Sequence, residues 1–148
     1  MKRFLLVCAL ALSAPSLFAC TDFTGDYRTE LYTYYSISQN GCESMDVVDE
    51  TGANHFAFDG VENLLAEYDI FLDDTINPYA HVQVFLKSKM EGKKWVYHER
   101  SATTYLKTGE VDTVTKWAEV AFNKETNLVT TLHNADGSIE TYVDVRNR

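Results

Sequence analysis

Ala80-His81-Val82-Gln83-Val84-Phe85-Leu86-Lys87 is the stretch on which the fold turns. Ala80, Val82, Val84 and Leu86 alternate with His81, Gln83, Phe85 and Lys87. A period of two places successive side chains on opposite faces, which is the pattern of a half-buried β-strand. Met90-Glu91-Gly92-Lys93 then turns the chain, Trp95 to Lys107 forms a long strand, and Thr108-Gly109-Glu110 turns again. Thr113 to Phe122, Leu128 to His133 and the alternating run Ile139, Thr141, Val143, Val145 continue the pattern, with polar turns at 123–127 and 134–137. Sequential strands joined by short turns make an antiparallel meander.

The first half of the chain reads the same way. Tyr27 to Tyr35 is rich in aromatic and β-branched residues, as strands are. Asn40-Gly41 is a hairpin signal, because glycine and asparagine tolerate positive φ. Cys42 to Val48 returns as the partner strand, 49–54 (DETGAN) turns, and His55 to Phe58 is a short strand. Val61, Leu64, Leu65 and Tyr68 recur at helical spacing, so 61–68 reads as a short helix or an irregular strand. Asp73 to Pro78 is a loop. The expectation is an all-β protein of about eight strands. Closure into a single barrel hides both edges of such a meander.

Length and composition bound the rest. The chain has 148 residues, of which 45% are hydrophobic, enough for one core and too few residues for two sizeable ones. Its formal charge of −9 argues against nucleic acid as a partner, because phosphate contacts need an excess of cations. Lys2 and Arg3, followed by the apolar run Phe4 to Leu12 and the break at 13–16, have the order of an export signal. Cleavage after Ala19 leaves Cys20 first, so residues 1–19 are expected to be removed and 20–148 to form the domain. The expected location is the periplasm, the outer-membrane surface or the exterior.

The fate of Cys20 has two readings. An even pair of cysteines, Cys20 and Cys42, in an exported chain suggests a disulfide, worth about 3 kcal/mol by loop-closure entropy. Alternatively, Leu17-Phe18-Ala19-Cys20 resembles a bacterial lipobox, with Phe18 departing from the usual small or branched residue. That resemblance implies acylation of Cys20 and anchoring to an envelope membrane. Each reading excludes the other, because an acylated sulfur has no thiol to share.

Phe23-Thr24-Gly25-Asp26-Tyr27 places Gly-x-Tyr at the start of the first strand, and Arg146 lies at the end of the last. This resembles the opening of calycin barrels: lipocalins, fatty-acid-binding proteins and avidins. These begin strand A with Gly-x-Trp, and in lipocalins an arginine packs across that tryptophan. The resemblance implies a calycin-like barrel with Arg146 over Tyr27, and a non-enzymatic protein holding a small apolar or amphipathic ligand inside.

The residues expected to line such a cup are Trp95, Tyr97, Trp117, Phe85 and Tyr105, since large aromatics on strands either fill a barrel or line a ligand space. Trp95, Tyr97 and Glu99 share one face of their strand; Thr115, Trp117 and Glu119 share one face of theirs. The alternative is a structural or protein-interaction lipoprotein of the envelope with a filled barrel, for which Tyr32 and Tyr34 are the expected exposed aromatics. Chemistry finds little foothold. His55, His81, His98 and His133 form no short metal-ligand spacing, although His81 and His98 lie on neighbouring strands. The acids at 46–50 lack a calcium-loop order. No Gly-x-Ser-x-Gly or phosphate loop occurs. No enzyme activity, metal or cofactor is expected.

Overall fold

The computed structural model describes residues 20–72 and 77–147; the expected export signal at 1–19 and part of the 73–78 loop lie outside them. Ten strands follow in chain order: β1 (Gly25–Arg28), β2 (Tyr34–Asn40), β3 (Ser44–Asp49), β4 (Gly52–Ala57), β5 (Glu62–Ile70), β6 (Ala80–Glu91), β7 (Lys94–Tyr105), β8 (Val111–Phe122), β9 (Leu128–His133) and β10 (Ile139–Arg146). They form one antiparallel sheet in the order β4-β3-β2-β1-β10-β9-β8-β7-β6-β5. Neighbours in sequence are neighbours in the sheet except β4 and β5, which form its two edges, and the first strand pairs with the last. The sheet therefore curls into a barrel, all-β as the alternation predicts.

The strand count is ten rather than eight for two reasons. The run 27–35 is not one strand: the chain turns over at Thr29–Thr33, where the Thr29 N–H donates to Thr33 O at 3.0 Å and the Tyr32 N–H to Thr29 O at 3.1 Å. The 61–68 segment is strand, not helix. β5 pairs along β6 from Glu62↔Lys87 to Ile70↔Ala80, with a register shift between Leu64 and Ala66. That extra residue is what gave Val61, Leu64, Leu65 and Tyr68 their helix-like spacing. The Asn40-Gly41 turn is also longer than a two-residue hairpin. Asn40 pairs with Ser44, and Gly41 has φ +56°.

Closure is nearly complete. β4 and β5 share no ladder among the described residues, but one end of the gap is stitched. Ser88 Oγ donates to Ala57 O at 2.6 Å, and the Gly60 N–H donates to Ser88 O at 3.0 Å.

That same end is filled. Tyr27, Ile37, Met45, Phe58, Trp95, Val120 and Leu128 meet there, with Phe56, Met90, Tyr97 and Phe122 packed against them. The segment before β1 plugs it. Phe23 is 1% exposed and packs against Phe122 at 5.2 Å between ring centroids. Cys20 is disulfide-bonded to Cys42, with Cα atoms 5.5 Å apart. Gln39 holds the plug from the side, accepting from the Phe23 N–H at 2.9 Å and donating to Thr21 O at 3.0 Å. Tyr27 is fully buried, and its hydroxyl donates to Phe23 O at 2.6 Å.

Arg146 is opposite Tyr27 in register, but its guanidinium lies over Phe122, 5.5 Å from the ring centroid, rather than over Tyr27. Tyr27 stacks instead on Tyr35 at 5.4 Å. Arg146 reaches the Thr24 carbonyl by crossing Gly25, where a Cβ would sit 2.8 Å from its Nε. Gly25 takes φ +156°, which L side chains rarely adopt, and a Cβ there would also push the Arg146 side chain aside.

Candidate ligand site at the barrel mouth

The strands differ in length, and this decides where the interior is open. β6, β7 and β8 each have 12 residues, whereas β1 to β4 have four to seven. Near the plug both halves of the barrel face each other. Toward the other end the long strands outrun the short ones, and the inward faces of Tyr68, Val114 and Tyr142 are exposed. Inward residues along β7 grade accordingly, from Trp95 through Tyr97 and Glu99 to Ser101 and Thr103. Lys116 on β8 pairs with Glu99 at 3.1 Å on this inner face.

The β1–β2 loop divides the mouth. Thr29 and Thr33 clasp its base, with their hydroxyls 2.7 Å apart. Tyr32 at the tip takes φ +61°, a left-handed conformation that costs a non-glycine residue on the order of 1 kcal/mol. On one flank lies an open recess of about 480 Å³ between this loop and β9–β10. Leu31 and Tyr142 supply its apolar walls, Thr29, Thr33 and Thr130 its hydroxyls, and Glu30 and Asp144 its carboxylates. On the other flank is a second recess of about 380 Å³, bordered by Tyr34, Tyr35 and Val47 and by Asp49 and Glu50. Tyr35 joins the two, since its hydroxyl donates to Asp144 Oδ2 at 2.6 Å. Burial first, and the Asp144 hydrogen bond second, push the ionisation of that phenol far up. Tyr142 donates to Glu140, which raises its own ionisation above the ordinary tyrosine value.

The five aromatics expected to line a cup do not form one. Trp95 and Tyr97 face inward with rings 4.9 Å apart, but Trp95 belongs to the packed core, and its Nε1 is buried without a partner among the described residues. Tyr97 borders that core, and burial, with help from the Glu99 charge, pushes its phenol up to about 12. Tyr105 sits at the far end of β7, hydrogen-bonded to Asp112 at 3.0 Å and packed edge-on to Tyr79 at 5.5 Å.

Phe85 and Trp117 point the other way. Trp117 is opposite His98, one position out of phase with Trp95, so it lies on the outer face. There it stacks on His133 at 3.7 Å with planes 3° apart, and His98 lies 6.2 Å away on the neighbouring strand. Phe85 is covered by the Arg100 guanidinium at 4.1 Å, which makes two bonds to Glu62, at 2.9 and 2.7 Å.

His81 and His98 do not meet. His81 bonds Asp69 at 2.8 Å, while His98 pairs in register with Lys87, six positions further along β6. Asp46 pairs with His55 at 2.7 Å. Asp49 accepts from the Thr51 N–H and hydroxyl at 2.7 and 2.6 Å, bonds that pull its carboxyl below the usual range and close the β3–β4 turn. Among the described residues no group of three or more His, Cys, Asp or Glu is arranged to hold a metal ion.

Leu31, Thr130, Tyr142 and Asp144 were not singled out from the sequence. The available signal was in β10, where Glu140, Tyr142, Asp144 and Arg146 alternate with the apolar series Ile139, Thr141, Val143 and Val145. Alternation gives the period without saying which set faces in. Here the polar set faces in, because Arg146 is opposite the buried Tyr27, and Ile139 and Val145 are exposed.

Compared with protein-family models, curated proteins and solved structures, the chain gives no match.

Proposed function

We propose that the protein is an exported, non-enzymatic, calycin-like binding protein that takes a small amphipathic ligand at the open mouth of its barrel, not deep within it. The observation that carries this reading is the recess of about 480 Å³ between the β1–β2 loop and β10. Its volume is in the range of small-molecule sites, and its lining mixes apolar walls with a few placed polar groups. The pairing of β1 with β10 and the Gly25–Arg146 crossing support the calycin-like part. The Cys20–Cys42 disulfide supports export, since such bonds persist in oxidising compartments. A disulfide at Cys20 also leaves no thiol for a lipid anchor.

Titration with the neutral fluorophore N-phenyl-1-naphthylamine tests the site. Saturable one-to-one enhancement is expected in the wild type, with loss of it in Thr130→Trp, whose indole fills the recess. Equal enhancement in both would place the dye elsewhere and remove the proposal.

One observation favours a second reading, an envelope interaction module. Leu31 is 86% and Tyr32 71% exposed on a strained hairpin tip, with Arg28 5.1 Å from the Tyr32 ring centroid. Strain retained at an exposed aromatic tip is typical of contact sites. Tyr32→Gly keeps the turn and removes the ring. In vivo crosslinking through position 31 should capture one defined partner in the wild type and lose it in Tyr32→Gly; an unchanged pattern excludes this reading.

A further inference from the structure

We infer that the ligand of this recess carries a positive charge, and that the site selects an amphipathic amine over an amphipathic acid. The inference rests on the recess being the binding site and adds the chemical class of its occupant. The recess has walls for an apolar chain, Leu31 and Tyr142, and an acidic side formed by Glu30 and Asp144. No lysine or arginine lines it or the adjoining recess around Asp49 and Glu50.

Among the described residues no nearby cation makes an ion pair with Glu30 or Asp144. Arg28 lies over the Tyr32 ring, Lys116 is paired with Glu99 on the inner face, and Arg146 bonds the Thr24 carbonyl at the plugged end. Asp144 spends one oxygen, Oδ2, on the Tyr35 hydroxyl, which fixes the carboxylate in place. No hydrogen bond joins its other oxygen, or Glu30, to any other described residue. A fixed carboxylate beside apolar surface loses part of its hydration and keeps unused acceptor capacity; an ammonium group restores both. A carboxylate or phosphate ligand would instead meet like charge from Glu30 and Asp144.

Competition against bound N-phenyl-1-naphthylamine tests this, with decylammonium, decanol and decanoate used below their aggregation concentrations. Decylammonium should displace the dye at a concentration at least about tenfold below decanoate, with decanol between them. Asp144→Asn preserves the shape and a hydrogen bond to Tyr35, and Glu30→Gln preserves its length. Together they should bring the three competitors to within about threefold of one another, as should raising the salt from low to about 0.5 M.

Decanoate equal to or better than decylammonium overturns the charge selection. The recess itself still stands in that case if dye binding is lost in Thr130→Trp. Failure of the dye to bind the wild type removes the recess as the site, and this inference with it. Selectivity that survives the double substitution also overturns the inference, because it would arise from other groups.

Discussion

Replacing both Cys20 and Cys42 with serine probes what holds the closed end of the barrel. The bond spans a sequence separation of 22 residues. Loop-closure entropy for a chain of that length gives about 3 kcal/mol of stabilisation through the unfolded state. The native-state consequence is separate. The disulfide tethers Cys20 three residues before Phe23, and Phe23 closes the core against Phe122. Guanidinium unfolding, followed by far-ultraviolet circular dichroism, should show the midpoint fall by an amount equivalent to about 3 kcal/mol, and the melting temperature should fall by roughly 10–15 °C. Phe23→Ala alone should cost roughly 3–5 kcal/mol, as removal of a buried aromatic does. In the serine background it should cost less, because an untethered plug is already partly released, so the two effects are not additive. A loss below about 1 kcal/mol for the double serine variant, with Phe23→Ala unchanged in that background, would refute the plug as a tethered part of the core.

Other consequences concern the interior and its faces. Tyr27→Phe should destabilise the fold by about 1–2 kcal/mol in the same unfolding assay, because it strands the buried Phe23 carbonyl. Gly25→Ala should cost roughly 1–3 kcal/mol through its φ of +156° and the displacement of Arg146, and in an Arg146→Ala background only the crowding part of that cost should vanish. With tryptophan retained only at 117, acrylamide should quench fluorescence more strongly than with tryptophan retained only at 95, since Trp117 lies on the outer face and Trp95 in the core; equal quenching would contradict the register. Tyr35 and Tyr97 have phenols shifted upward in the folded state, Tyr97 to about 12. Their contribution is complete below pH 10, where both states are protonated. Above pH 10 the unfolded chain loses these protons first, so stability should fall from pH 10 to 11.5, less steeply in Tyr97→Phe. A slope unchanged in that variant would place Tyr97 in solvent.

Much of the fold was legible because a period of two is a local property. Ala80, Val82, Val84 and Leu86 read as one face of a half-buried strand, and Ala80, Val82 and Leu86 are buried with Val84 half-buried on the same inward face. The β5 segment misled because one extra residue near Leu65 shifts the register, which mimics helical spacing over two turns. The site was less legible, because facing is a global property of closure. Trp117 and Phe85 looked like interior aromatics by type, yet pairing with β7 turns both outward. The alternation of Ile139, Thr141, Val143 and Val145 left their facing open, and closure turns them outward while the polar set of β10 lines the open mouth. Asp144 and Tyr35 are separated by 109 residues in the chain, and only the closing of β10 on β1 brings them together.

The most direct measurement is a native mass spectrum of the protein isolated from its own cells, run beside its Thr130→Trp variant. The expected wild-type species is two hydrogen atoms lighter than its sequence, from the Cys20–Cys42 bond, and carries one noncovalent small-molecule adduct of basic character. The variant should keep the disulfide mass and lose the adduct. A wild-type chain that carries no adduct, or a variant that retains it, would contradict a ligand site at the barrel mouth.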